Sequence, residues 1–429
     1  MGEELRKLWR TEDYWSIWFA VLIFLAVAVG AVAGAPRLQR WATDPLLSLS
    51  GRTEGLIVLG LALAAVSTVG VAAMKERWKT YLAGFWVVYL LAILSFLVAA
   101  QVSVRAWGLG YAIWALIFGL LISNTVGTPQ WLLDGARSEM FIKTGLVLLG
   151  GEVLFSEILG LGLPGLLVAW VVTPTVIVFM WLYATRVLRL PSKTLAIIIA
   201  AATSVCGVSA AIAVAAACRA RKSELTLAVG MTMIFTVLMM IVMPVIARLA
   251  DMSPAVAGGW LGGTIDSTGA VVAAGALLGE LAEKVAAVVK MIQNVLIGVV
   301  AFVVALFWVT QVDRQPDAPR PGLMEIWYRF PKFILGFVAA SVVFSFVLMP
   351  ALGEVEVAAI LETSSSLRGW LFCLAFVAIG LESNFRELAG QLVGGKPIIL
   401  YAVGQTFNII LTLLMAWIAF GGLLFPPVT

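Results

Sequence analysis

Thr203-Ser204-Val205-Cys206-Gly207-Val208-Ser209-Ala210-Ala211 and Gly262-Gly263-Thr264-Ile265-Asp266-Ser267-Thr268-Gly269 place small, polar, helix-breaking residues inside two apolar stretches, about 194–217 and 255–280. Both stretches are long enough to reach the middle of a bilayer. Hydrocarbon offers no hydrogen bonds to a broken backbone, so a break at that depth survives only where protein or a water-lined cavity satisfies the freed groups. The two breaks therefore mark the place to look for a site.

Working outward from them, the whole chain is 62% hydrophobic and 12% charged over 429 residues, with a mean hydropathy of +1.04. A soluble domain carries about 25% charged residues, so this is a polytopic membrane protein. The apolar runs are about 18 to 25 residues long without two-residue alternation, which predicts an all-α bundle rather than a barrel. Candidate spans lie near 15–34, 55–74, 84–104, 107–123, 140–158, 164–185, 225–247, 285–310, 331–350, 369–383 and 397–420. The expected fold is about 11 transmembrane helices plus two broken or re-entrant segments. Glu3 to Asp13 mixes acids and bases without a small-residue cleavage site, so the first span is expected to be retained.

Charge decides how the broken segments are read. If both cross, Arg219, Arg221 and Lys222 fall on the base-poor side, against the positive-inside rule. If both re-enter, most bases face the cytoplasm, and only Arg37, Arg40, Arg52, Arg105, Arg248 and Arg368 lie outside. The net charge of +4 is then a topology signal and gives no reason to expect nucleic acid. The proline-containing linker Gln311 to Gly322 falls in the cytoplasm.

An internal repeat points the same way. Gly150-Gly151-Glu152-Val153-Leu154-Phe155-Ser156-Glu157-Ile158-Leu159-Gly160 shares the pattern Gly-x-Glu-x-x-Phe-x-Glu-(Ile/Leu)-x-Gly with the stretch from Gly380 to Gly390. These two ends fall on opposite membrane faces, the arrangement of an inverted repeat. The expected division is three accessory helices over 1–104, one repeat over 107–247 and an inverted repeat over 255–420. The broken segment follows the motif in the first repeat and precedes it in the second, so one unit would be a circular permutation of the other.

Half-helix N-termini at the midplane present free N–H groups and the positive end of the macrodipole, which suits an anion. Thr203, Ser204, Cys206, Gly207 and Ser209 at the first break, and Thr264, Ser267 and Thr268 at the second, are the candidate substrate contacts. Close helix packing is the alternative for such small residues, and for Val208 to Ala217 it serves equally well. Asp266 is an acid deep in the membrane, costing about 2.5–3.5 kcal/mol, and is the candidate site for a coupling proton or sodium ion; capping the helix from Thr268 is its other reading. Lys290, Gln293 and Asn294 share one helix face, where Lys290 would offset the charge of an anion, snorkel to the surface, or pair with Glu280, Glu283 or Asp266. Asn124, Gln405 and Asn408 are supporting polar candidates.

Cys206, Cys218 and Cys373 have no metal or redox spacing, and the chain has no histidine, so metal sites, cofactors and histidine acid/base catalysis are not expected. No catalytic constellation suggests an enzyme.

Gly119-Leu120-Leu121-Ile122-Ser123-Asn124, Lys143 to Gly150, Ser204-Val205-Cys206-Gly207-Val208-Ser209-Ala210-Ala211, Thr264 to Gly275 and Val289-Lys290-Met291-Ile292 resemble the sulfate exporter family, a bacterial membrane family of the YeiH type. The resemblance covers roughly 107–420, and its Cys-Gly-x-Ser-Ala run is the most specific piece. It is similar in turn to the cation/proton antiporter and anion transporter group, and so implies an inverted-repeat secondary carrier in a bacterial inner membrane, exporting sulfate or sulfite. The chain departs from the family pattern where Asp266-Ser267 replaces His-Glu, Ala270 replaces glutamine and Gln293 replaces arginine, which implies a different anion or coupling ion. The expected function is secondary active transport of a small anion coupled to protons or sodium, with the lipid bilayer and a homo-oligomer as partners. A passive anion channel or a ligand-sensing membrane protein is the alternative.

Overall fold

The computed structural model describes residues 8–32, 34–106, 110–152, 155–312, 327, 330–384 and 395–426. Among these the chain is helical, and its helices fall into two compact units, each assembled from separate stretches of sequence. Nine stretches are long and apolar enough to cross a membrane among the described residues, so the chain is a multi-pass α-helical membrane protein. The linker from residue 313 onward, and residues 153–154 and 385–390 of the two copies of the glutamate-containing repeat, lie outside the described residues.

The first unit comprises residues up to Ser156 and Lys332–Asn384. Its main helices are α1 (Glu12–Ala28), α2 (Thr53–Ala73), α3 (Trp78–Ala99), α4 (Tyr111–Thr125) and α5 (Ser138–Glu152), joined by α13 (Phe333–Val343) and α14 (Glu354–Glu382) from later in the chain. Helix α14 packs on α4, α5 and α3, and α1 packs on α5. At Gly119 and Gly380 the α4 and α14 backbones touch: a Cβ on Gly119 would sit 2.4 Å from the Val377 carbonyl oxygen, so no larger residue fits.

Charge is distributed unevenly along this unit. At one end, Arg77 pairs with Asp134 at 3.0 Å, Arg137 pairs with Glu76, and Lys143 bridges Asp13 at 2.9 Å and Glu139 at 3.2 Å. Three bases and four acids thus meet at this end. Glu152 and Arg368, both nearly buried, form an ion pair at 2.9 Å, and Ser138 donates to Glu382 at 2.8 Å. The two glutamates that open the repeated pattern are thus held within this unit.

The second unit comprises Glu157–Pro331 and Phe385–Thr429. It contains most of α6 (Phe155–Leu182), then α7 (Lys193–Ala201), α8 (Gly207–Ala217), α9 (Lys222–Leu249), α10 (Pro254–Thr264), α11 (Thr268–Ala276), α12 (Glu280–Phe307) and α15 (Lys396–Phe420). Both broken segments lie here, against α9, α12 and α15.

Candidate functional site

The segment Lys193–Ala217 is apolar enough for a single span, and as one helix its 25 residues would stretch roughly 37 Å. Instead it doubles back. Ser192 and Thr194 at its entry both donate to the carboxylate of Glu224, the latter at 2.8 Å, and Glu224 lies just beyond its exit, where it also accepts the Arg221 N–H. The turn at its apex is a wide helical turn, Ala202–Cys206, after which Gly207 opens α8 with φ 14°. Such wide turns leave backbone carbonyls without their usual partners.

The second segment doubles back in the same way, and α12 records it. Cβ atoms on Gly258 and Gly262 would meet the carbonyls of Ala282 and Ala286 at 2.7 and 2.6 Å, so α10 ascends along α12. One on Gly275 would lie 2.8 Å from Glu283 Cα, while Thr268 is bonded to Asn294, so α11 descends again. The four-residue spacing of Gly258 and Gly262 lets α10 lie this close to α12.

The two apices meet, and their freed carbonyls are capped in matched pairs. Asn408 Nδ2 donates to Thr203 O at 3.1 Å and Thr264 O at 3.4 Å. Gln293 Nε2 donates to Ser204 O at 3.0 Å and Gly263 O at 3.1 Å. Lys290 Nζ donates to Val205 O at 2.6 Å, Ile265 O at 2.8 Å and Gln293 Oε1 at 2.7 Å. Each donor joins a carbonyl of one break to a carbonyl of the other, and α12 and α15 supply all three. Lys290 is 1% exposed, so it neither snorkels nor pairs with a carboxylate; its three protons go to three neutral oxygens. Two helix C-termini carry roughly half a negative charge each, and one ammonium between them neutralises about that sum.

On the other side of the apices the N-termini of α8 and α11 face a second polar group. Asp266, 1% exposed, accepts a hydrogen bond from the Tyr401 hydroxyl on Oδ2. The α11 cap is Ser267, which accepts the Ala270 N–H at 3.2 Å, so Asp266 is not consumed in capping. A Cβ on Gly207 would stand 3.5 Å from the Asp266 Cβ, which puts the acid against the first turn of α8. Thr268 Oγ1 accepts from Asn294 Nδ2 at 3.0 Å and lies 4.0 Å from Cys206 Sγ. Asp266 Oδ1, Thr264 Oγ1, Asn294 Oδ1 and Gln405 Oε1 are buried and have no hydrogen-bond partner among the described residues.

Most residues singled out from the sequence thus converge, although not all through their side chains. The Thr203 and Ser204 hydroxyls donate to Ile199 and Ala200 in their own helix, at 2.8 and 2.6 Å, and it is their carbonyls that the cluster uses. Gln405 donates to Thr264 O at 3.3 Å. Ser209 is exposed. Asn124 belongs to the first unit, where it donates to Leu120 O at 2.9 Å and Ser383 O at 3.0 Å. Sequence reasoning missed Tyr401 and Thr173, whose hydroxyl donates to Ser204 O at 2.9 Å. Tyr401 stands four residues before Gln405 and seven before Asn408, so the polar stripe on α15 announces it.

With this architecture in view, the class is that of multi-pass membrane proteins with paired helical hairpins around a buried polar cluster. The chain belongs to the family described as Conserved hypothetical protein 698, which it matches over residues 83–401. It is 52% identical to a UPF0324 membrane protein of Rhodopirellula baltica, over 89% of this chain and 70% of that one. It is 50% identical to a UPF0324 membrane protein of Nitratidesulfovibrio vulgaris, over 87% and 65%, so it spans about two thirds of the length of these relatives. With a UPF0324 membrane protein of Nitrosomonas europaea the identity is 32%, over 98% and 97%. No solved structure matches the chain.

Proposed function

We propose that the chain is a secondary carrier of a small anion, bound where the N-termini of α8 and α11 meet and coupled to a proton or sodium ion through Asp266. The observation that carries this reading is the pairing of the two breaks. Their carbonyl ends are already neutralised by Lys290, so the positive potential of the two N-termini, roughly half a charge each, is left for something else. The acceptor-bearing side chains that have no partner at this depth are a second support, because such atoms are costly unless a ligand, ion or water engages them.

Charge supplies the coupling. An ionised Asp266 occupies the same positive region that would hold the anion, and the two negative charges repel in a medium of low dielectric. A proton or cation on Asp266 removes that repulsion, so anion and coupling ion load together. Tyr401 keeps the acid oriented through its hydrogen bond to Oδ2. Lys290 is then a structural cation that holds the two apices together, with the substrate held by backbone N–H groups, Thr268 and Cys206. Sulfate or sulfite, the anions implied by resemblance, are the first to test, and transport is expected to follow the alternating exposure of this site in a bacterial inner membrane, with the inverted repeat supplying the two exposures.

The test is uptake of radiolabelled sulfate into proteoliposomes under an imposed proton or sodium gradient, with Asp266→Asn alongside. Gradient-driven accumulation that the variant loses supports the carrier. Flux that never exceeds equilibrium under any gradient overturns it in favour of a channel. Absence of sulfate flux with gradient-driven uptake of another small anion rejects sulfate alone.

A further inference from the structure

We propose that the first unit carries a binding site for an anionic phospholipid at its extracytoplasmic end, separate from the transport site and independent of that reading. The end of this unit opposite the paired acids and bases holds a cavity of about 730 Å³ lined by Arg37, Arg40 and Arg105 together with Tyr111 and Trp370. Three of the six arginines assigned to the base-poor side therefore converge on one cavity. Arg37 is engaged by Glu362 at 2.8 Å, with both side chains 70% exposed. Arg40 and Arg105 are exposed, and their guanidinium groups have no ion pair or hydrogen-bond partner among the described residues. Glu362 lines the same cavity and, by occupying Arg37, leaves Arg40 and Arg105 as the pair that would grip an anion.

The arginine-lined cavity has an apolar neighbour. Ala35 and Pro36 line it and also line a second cavity of about 560 Å³, which runs between α1 and α2 along Leu22, Ala26, Val58 and Ala62. Leu22 and Val58 are 49% and 60% exposed, as apolar side chains are where they meet hydrocarbon. Arg52 lines this groove as well. A guanidinium-lined chamber that shares a wall with an apolar groove matches one chemistry: a phosphate diester with an acyl chain. Guanidinium binds phosphate oxygens through paired, charge-assisted hydrogen bonds, and the groove accepts the chain without further cost to solvent. A free inorganic anion would use the first cavity and leave the second without a role.

The probe is phosphatidylglycerol, measured by native mass spectrometry of the full chain released from mixed phosphatidylglycerol and phosphatidylcholine micelles. Wild type is expected to retain phosphatidylglycerol preferentially. Arg40→Gln with Arg105→Gln should lower that retention about a hundredfold, about tenfold for each lost charge-assisted contact. Ala62→Trp, which fills the groove and leaves every arginine in place, should lower it as well. Ala62 is exposed, so a monodisperse gel-filtration peak is expected for both variants and verifies their folding. Equal retention of the two lipids by wild type would overturn the proposal. So would retention that excess sodium sulfate abolishes and Ala62→Trp does not touch, because the cavity would then hold a free anion.

Discussion

Lys290 shows how one side chain can be read correctly as important and differently as to role. Its spacing with Gln293 and Asn294 marks an inward polar stripe, while its partners, the carbonyls of Val205 and Ile265, lie 85 and 25 residues away in sequence. Replacing it with methionine keeps the length of the chain and leaves three buried acceptors unmet. The expected loss is about 3 kcal/mol or more of stability, at 1–3 kcal/mol per unmet group, read as a drop in the detergent melting temperature. Tyr401→Phe removes a single hydrogen bond onto Asp266 and should cost about 0.5–1.5 kcal/mol, well below the loss at Lys290. Its diagnostic effect is a displaced pH profile of gradient-driven uptake with the melting temperature little changed; an unmoved profile would remove Tyr401 from the coupling step. Asp266→Asn is expected to abolish coupling while the protein still inserts and purifies as a monodisperse species. Asp266 itself was legible as an intramembrane acid, whereas its freedom from capping was not, because Asp266 and Ser267 are both good caps and only backbone geometry chooses Ser267.

Among the elements, the second hairpin depends on glycine where α10 meets α12. A side chain at Gly262 would collide with the Ala286 carbonyl at 2.6 Å, a backbone atom that cannot move aside without displacing α12. Gly262→Val is expected to cost about 1–3 kcal/mol through overpacking and to reduce transport by separating Gly263 and Thr264 from Gln293 and Asn408; uptake per folded protein at unchanged expression measures it. The control is a valine at Gly279, which has open space around it but a φ of 115°, so any loss there comes from backbone strain in a loop and not from helix separation. Composition and turn residues located both broken segments within a few residues, since glycine and short polar side chains disrupt an apolar helix wherever it lies. The pairing of their carbonyls through Asn408, Gln293 and Lys290 was not legible, because no local pattern relates Thr203 to Thr264.

Across the whole molecule, the doubling back of 193–217 has a direct consequence for topology. With the three native cysteines replaced by alanine, cysteines at Lys193 and Ala220 should both react with a membrane-impermeant maleimide from the same face. Labelling from opposite faces would show that the segment crosses, and would contradict the contact of Ser192 and Thr194 with Glu224. Hydropathy along the chain sufficed to establish a helical, multi-pass membrane protein, because a bilayer imposes length and apolarity on each segment separately. Charge along the chain sufficed to favour re-entry, because lysine and arginine report their side of the membrane without reference to their neighbours. The composition of the site is another matter. Lys290, Asp266, Tyr401 and the carbonyls of two breaks come from four stretches of chain, and Asn124, equally polar and equally near a glycine-rich motif, folds into the other unit. Hydrogen bonds and macrodipoles act over a few ångströms, so which polar groups share a site depends on which helices pack together, and that is settled by the three-dimensional packing.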